Sequence, residues 1–274
     1  MKDPIFAKTR YHYDSYMDFW RIVELSGFRV CYTDEIDLNQ DEVYITSPLN
    51  GELKPHVAHR KSILKHPQRA RIVWWNLERP AHHEVKASVQ DMLPYVDRVW
   101  FSDKSLVAQD PSNLIYAELG SHPDFPYPAT STDKQYDFAH ISYVTPRREA
   151  VYNHLITKGF KMSISPLPKQ RRDDLWHVRS MLNIHQNDLP ICEPIRFAIA
   201  AGYRLPLITE VLATPYPLEH GKTCLMASYD DMYASSENWL REDIQHIGDA
   251  LYKRLAVDFN FRQGVTEALG RSFH

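Results

Sequence analysis

Short apolar segments alternate with longer segments of helical periodicity along most of the chain. In the first half, runs rich in β-branched and aromatic residues, such as "EVYITSP" and "ARIVWWNLE", predict buried strands. Between such runs, "DSYMDFWRIVELSG" places apolar side chains at helical spacing, with Asp14 or Ser15 as N-cap and Gly27 as C-cap. Strands that alternate with helices are typical of a parallel sheet with helices on both faces.

The second half repeats the alternation. We predict strands at "YDFAHISYV", "FKMSISP", "MLNIHQ" and "LPLITEV", and helices at "PRREAVYNHLITKG", "RRDDLWHVRS" and "EPIRFAIAAG". Residues 121–135 contain three prolines and no periodicity, which indicates a linker or long surface loop. We therefore expect an α/β protein with two Rossmann-like domains facing across a cleft, over residues 1–130 and 131–235, followed by a helical tail over 236–274.

Composition limits the class of protein but does not name it. The 274 residues carry a net charge of −3, so the whole chain is not a basic nucleic-acid coat. No apolar run reaches 18 residues, and a membrane span is not expected. The three cysteines are far apart and predict neither a disulfide framework nor a zinc site, so a cytoplasmic setting is the simplest interpretation.

Candidate binding residues follow the strands of the second half, because ligands of open α/β sheets lie at the carboxyl ends of the strands. After "YDFAHISYV", Thr145 suits a helix N-cap and Pro146 the first helical position. The free N–H groups of that helix start would bind phosphate, and Arg147 and Arg148 would add charged donors. A plain capped helix with two solvated arginines is the alternative.

A second loop, residues 164–174, would border a nucleobase through Leu167. A third loop carries Asn187 and Asp188 ahead of a helix that starts near Glu193. A carboxylate at a helix start is stabilised by the helix dipole and can accept hydrogen bonds from sugar hydroxyls. Arg196 lies three residues on and would pair with Glu193 or reach a phosphate. The alternative is a capping acid with a simple ion pair.

Two segments of the second half carry a family resemblance. "LNIHQNDLPICEPIRFAIAAGYRLPLITE" resembles the donor-binding segment of GT-B glycosyltransferases, most closely the CgeB-like, glycosyltransferase group 1-like subgroup. "DFAHISYVTPRREAVYNHLITKGF" is similar to the opening strand and helix of the family's second domain. The resemblance covers residues 136–232. It implies a GT-B fold in which the second domain holds a nucleotide-diphosphate sugar, such as a UDP-sugar, and the C-terminal helices cross back to the first domain.

The resemblance also implies roles for individual residues. Arg147, Arg148 and Arg196 would neutralise the donor diphosphate, and Glu193 would hold donor hydroxyls. No cofactor and no metal is expected, which agrees with the lack of an Asp-x-Asp motif in the sequence. Many retaining members carry two glutamates spaced E-x7-E, and Phe197 stands at the second of these positions. The stereochemical outcome therefore stays open.

The first half offers candidates for a general base. The strand "RIVWWNLERPAHH" runs into Glu78 and His82, and a carboxylate or imidazole at a strand end can deprotonate an acceptor hydroxyl. Asp14, after the first strand, is a further candidate. The alternatives are a salt-bridged loop for the first pair and a helix N-cap for Asp14.

Residues 54–71 are locally basic. The default interpretation is a solvated helix face, and the more specific one is a surface that binds a polyanionic acceptor. Phage enzymes that glycosylate hydroxymethylated bases in DNA share the two-domain fold and need base flipping. The residues expected to contact phosphates in that case are Arg60, Lys61, Lys65 and Arg69.

The sequence thus predicts a hexosyl- or pentosyltransferase that moves a sugar from a nucleotide-diphosphate sugar to a hydroxyl acceptor. Two other classes stay open. One is a non-catalytic nucleotide-sugar binding module, which needs no base. The other is a sugar-nucleotide epimerase, which would act on the donor without any acceptor.

Overall fold

The chain, in a computed structural model, divides into two compact units. The structure describes residues 2–10, 16–47, 53–64, 66–77, 82–126, 133–165, 173–190 and 192–273, with the backbone alone for 82–86. Unit 1 comprises the described residues of Met1–His12, Val23–Glu118 and Arg262–His274, and unit 2 those of Tyr13–Ile22 and Leu119–Phe261. The predicted three-part division at residues 130 and 235 stays a prediction.

Unit 1 is built on a sheet of six strands with the order β2-β1-β3-β4-β5-β6, and every pairing is parallel. Most residues of its central strands are buried, and Trp75 packs edge-on against Trp100 at 5.5 Å. The elements of this part of the chain are β1 (Ile5–Lys8), α1 (Met17–Leu25, assigned to unit 2 as far as Ile22), β2 (Arg29–Tyr32), β3 (Val43–Thr46), α2 (Leu53–Ile63), β4 (Arg71–Asn76), α3 (His82–Met92), β5 (Arg98–Phe101), α4 (Lys104–Val107) and β6 (Leu114–Tyr116).

Unit 2 is built on a five-stranded sheet, also all parallel, with the order β11-β10-β9-β7-β8. Its core joins Phe138, Leu182 and Ile208 from three neighbouring strands, all fully buried. The elements of this part of the chain are β7 (Tyr136–His140), α5 (Pro146–Thr157), β8 (Met162–Ile164), β9 (Val178–Asn183), α6 (Pro194–Gly202), β10 (Leu207–Glu210), β11 (Leu225–Ala227), α7 (Met232–Trp239), α8 (Gln245–Tyr252) and a π-helical turn (Lys253–Asp258). The chain ends in α9 (Phe261–Phe273), which returns to unit 1 after Phe261.

The starts of α5 and α6 follow the sequence signals. Thr145 accepts a hydrogen bond from the backbone N–H of Arg148 at 3.5 Å, and a proline occupies the first turn of both helices. The α6 helix is almost wholly buried, and its last residue, Gly202, lies against the ring of Phe125, where an added Cβ would come within 2.3 Å. The end of α6 therefore packs closely against Phe125.

One helix prediction is wrong in part. The segment "RRDDLWHVRS" predicts one helix to its end, but among its described residues only Asp173–Asp174 and the 3-10 turn at Leu175–His177 are helical, and β9 already begins at Val178. The reason lies in the sheet: Val178 and Ser180 pair with Tyr136 and Phe138 of β7. A neighbouring strand outweighs the weak local helix signal of this segment.

The last helix, α9, belongs to unit 1 except for its first residue. The indole of Trp100 donates to the hydroxyl of Ser272 at 2.8 Å, and Arg98 donates to the Ser272 carbonyl at 2.9 Å. The end of the chain is thereby fixed beside β5. In the part of the chain that is described, no helix has both the length and the apolar character needed to cross a membrane.

Candidate functional site

The strand order of unit 2 changes direction between β7 and β9, which makes their carboxyl ends the expected ligand site. The chain leaves β7 through α5 to reach β8 on one side, and leaves β9 through α6 to reach β10 on the other. Polar residues lie at or just after the ends of three neighbouring strands: Ser142 after β7, Asn183 at the end of β9 and Glu210 at the end of β10.

The first group of contacts centres on Arg196 of α6. Its Nη1 donates to Oδ1 of Asn183 at 2.6 Å and to Oε2 of Glu193 at 2.8 Å, and its Nη2 donates to Oγ of Ser142 at 2.8 Å. The Asn183 amide donates in turn to Thr209 at 2.9 Å, which fixes its orientation. The Arg196 and Glu193 side chains are only 13% and 12% exposed.

Arg148 of α5 joins the same group from the other side. Its side chain is 1% exposed, and Nε donates to the Ile184 carbonyl at 2.8 Å. Its Nη1 donates to Ser142 Oγ at 3.1 Å and to the Tyr143 carbonyl at 2.9 Å, while Nη2 lies 3.6 Å from Oε1 of Glu193. We call Ser142, Arg148, Asn183, Glu193 and Arg196 the Arg196 cluster. The alternative interpretation, a solvated Arg148, is wrong.

Glu193 stands at the N-cap of α6 but its side chain makes no capping hydrogen bond. Its carboxylate instead faces Arg196 and Arg148. The ion pair of the simpler alternative is therefore present, and the capping role is not. The N-cap side chain of α6 thus makes no capping hydrogen bond, as is also the case for α7 and α8.

Arg147 makes a second, separate group. Its guanidinium forms a two-pronged contact with Glu210, at 2.5 and 2.6 Å, and its Nε donates to Asp188 at 3.1 Å. The ring of Tyr229 lies 3.7 Å from the guanidinium carbon. Burial acts to lower the pKa of Arg147, but hydrogen bonding and the charge of Glu210 outweigh it and raise the pKa overall. Glu210, which also accepts from the His185 N–H at 2.5 Å, is the main partner of Arg147.

His140 ends β7 and is fully buried, with its ring 4.9 Å from the ring of Tyr152. Neither ring nitrogen makes a hydrogen bond of normal geometry among the described residues. Burial, followed by the charges of Arg196 and Arg148, holds the pKa of His140 well below its usual value. The imidazole is therefore neutral beside two cations.

Sequence reasoning missed Ser142, Asn183, Glu210 and His140. Each is a polar residue at or just after the carboxyl end of an apolar strand, and that position was the signal that could have found them.

The other residues predicted to bind the donor lie outside the Arg196 cluster. Thr145 caps α5. Asn187 is exposed and accepts from the N–H of Leu189 at 3.2 Å, and the Asp188 side chain is 97% exposed apart from its contact with Arg147. Leu167 lies outside the described residues.

The predicted acceptor-side residues are only partly described. Glu78, Asp14 and Lys65 lie outside the described residues, and His82 is described only as the first backbone position of α3. In unit 1, Arg60 donates to the backbone carbonyl of Asp34 and Lys61 to that of Pro94 at 3.0 Å; Arg69 is exposed. Over the described ranges, no three His, Cys, Asp or Glu side chains are grouped to hold a metal ion.

Comparison with solved structures identifies the fold. Anabaena HepE, solved with UDP and glucose, is 9% identical and aligns over 98% of this chain and 100% of its own, with a TM-score of 0.64. AviGT4, a glycosyltransferase of avilamycin A biosynthesis, is 8% identical over 98% and 96%, with a TM-score of 0.58. TarM is 10% identical with a TM-score of 0.55, and this chain spans 56% of its length.

These similarities confirm the predicted α/β class and the GT-B fold, with its two parallel sheets and interleaved helices. At these levels of identity, they establish the fold alone. No protein-family model matches the sequence, and no curated protein matches it.

Proposed function

We propose that the protein is a glycosyltransferase that moves a sugar from a nucleotide-diphosphate sugar to a hydroxyl acceptor. The observation that carries the proposal is the Arg196 cluster, because it places an uncapped helix start, a carboxylate and two guanidinium groups at the switch point of a parallel sheet. The fold shared with HepE, a protein solved with UDP-glucose, supports the same kind of donor.

The charges of the cluster suit a diphosphate. Arg148 and Arg196 share one carboxylate, Glu193, so these three side chains carry one excess positive charge. That charge adds to the positive end of the α6 dipole. Fixed donors of this kind stabilise a departing diphosphate, so the proposed mechanism needs no metal ion. Arg147 is held mainly by Glu210, and we assign it to the support of the site.

Glu193 suits the hydroxyl groups of the donor. Its Oε2 accepts from Arg196 and its Oε1 lies 3.6 Å from Arg148, so both carboxylate oxygens are held in place at the start of α6. The side chain is partly exposed and its position is set by two cations, as a binding carboxylate requires. We propose a uridine nucleotide as the first donor to test, and either a hexose or a pentose as the sugar.

For the acceptor side, we keep Glu78 as the proposed general base, with His82 and Asp14 as the next candidates. DNA is the narrower proposal for the acceptor. Arg60 and Lys61 donate to backbone carbonyls, and Arg60 also lies close enough to Asp37 to help lower the pKa of that carboxyl, so the exposed Lys61 is the better placed of the two for a phosphate. Binding to duplex DNA that weakens steeply between 50 and 200 mM salt, as expected for phosphate contacts, would support it.

A thermal-shift experiment with UDP, GDP and UDP-glucose tests the donor proposal. A ligand at 100 times its dissociation constant stabilises the protein by about 2.7 kcal/mol. Glu193→Gln should weaken UDP-glucose binding by roughly tenfold or more, the cost of a hydrogen bond to a charged group. Asp188→Asn, a change on the exposed carboxylate nearby, is the matched control and should leave it intact. No shift of the wild-type protein with any of the three ligands contradicts the proposal.

A further inference from the structure

Ser142 receives hydrogen bonds from two guanidinium groups at once. Arg196 Nη2 lies 2.8 Å and Arg148 Nη1 lies 3.1 Å from its hydroxyl oxygen. A guanidinium group has donors only, so the serine oxygen must be the acceptor in both contacts. The direction of these two hydrogen bonds is therefore fixed by chemistry.

A serine hydroxyl has two acceptor lone pairs and one donor hydrogen. Both lone pairs of Ser142 are used, so its hydrogen points away from the two arginines. Among the residues that the structure describes, no acceptor takes this hydrogen. The side chain is only half-buried, in the loop between β7 and α5, so a ligand at the strand ends can reach it.

We infer that the Ser142 hydroxyl donates a hydrogen bond to a phosphate oxygen of the nucleotide; this rests on the proposed function. Two neighbouring cations polarise the O–H bond, which makes it a stronger donor toward an anion. Arg148 is 1% exposed, and its Nε and Nη1 donate to protein oxygens. Its positive charge therefore acts on the ligand by polarising the hydroxyl group of Ser142. The serine is thus one of the points at which the cluster contacts the diphosphate.

The affinities of UDP and uridine, measured by calorimetry and ligand-observed NMR, separate this role from a structural one. Ser142→Ala should weaken UDP binding by about tenfold or more, as for the loss of a hydrogen bond to a charged group, and leave uridine binding unchanged. Ser142→Thr keeps the hydroxyl and should stay within a few-fold of wild type. Ser142→Cys, close in size but a weak donor, should behave like the alanine variant.

Each result has a distinct meaning. If the wild-type protein binds neither UDP nor GDP, the proposed function fails. If it binds UDP and both Ser142→Ala and Ser142→Cys bind it equally well, the serine inference alone fails. Equal losses for UDP and uridine in these variants, with a lower unfolding temperature, would also overturn it, since the serine would then only support the fold.

Discussion

The contact between Arg147 and Glu210 gives the sharpest test of how the strand ends of unit 2 are held together. The two side chains are 17% and 6% exposed and meet through two short hydrogen bonds. Glu210→Ala would leave the guanidinium partly buried without its main partner, and breaking a buried pair in this way costs about 3–5 kcal/mol. Because Arg147 keeps Asp188 and the ring of Tyr229, we expect the lower end of that range.

A loss of about 3 kcal/mol lowers the unfolding midpoint of a unit of this size by roughly 6–12 °C, which differential scanning calorimetry resolves. Asp188→Ala is the matched control, because it removes a 97% exposed carboxylate from the same guanidinium. An exposed pair contributes little, so the midpoint should hardly move.

A double-mutant cycle completes the experiment. Arg147→Met combined with Glu210→Gln removes both charges, and it should cost less than the sum of the two single changes because no unpaired charge is left. Equal shifts of the unfolding midpoint for Glu210→Ala and Asp188→Ala, or strict additivity in the cycle, would show that the pair of Arg147 and Glu210 does not stabilise the fold as its geometry indicates.

Three further predictions concern other parts of the chain. Burial holds the pKa of His140 well below its usual value, so the unfolded chain binds a proton more readily than the folded one. The free energy of unfolding should therefore be constant above the unfolded pKa of about 6.5 and fall by up to about 1.4 kcal/mol per pH unit below it. His140→Phe should reduce this pH dependence, as measured by urea unfolding from pH 7 to 5. Glu78→Gln should lower kcat by about 10²–10⁴ with donor affinity unchanged, and full turnover in both this variant and His82→Ala would refute the base assignment. Gly248→Ala should destabilise unit 2, since its Cβ would lie 2.3 Å from the Arg204 carbonyl, whereas Gly270→Ala, with nothing within 4 Å, should raise the midpoint slightly.

The local features of the site could be predicted from the sequence. Pro146 and Thr145 indicated the start of α5, and Pro194 that of α6, because their conformational preferences act within one turn of helix. The pairing of Glu193 with Arg196 follows from their spacing of three residues. Polarity alone, however, did not distinguish a solvated arginine from the buried Arg148.

Contacts between distant segments could not be predicted. Arg147 and Glu210 are 63 residues apart, and Arg196 and Ser142 are 54 apart. They meet because the sheet order places β7, β9 and β10 side by side, and no local pattern encodes that order. The early start of β9 at Val178 has the same cause, since its partner is β7.

The sequence by itself determined the alternation of strands and helices, the two α/β units and the helix starts, because hydrophobic periodicity and capping act over a few residues. Only the tertiary structure decided which polar side chains meet at the strand ends. In the folded protein Arg148 is buried, and Arg147 pairs with Glu210. Two guanidinium groups donate to the hydroxyl oxygen of Ser142. Those choices depend on which strands are neighbours, and strand order is a property of the folded sheet.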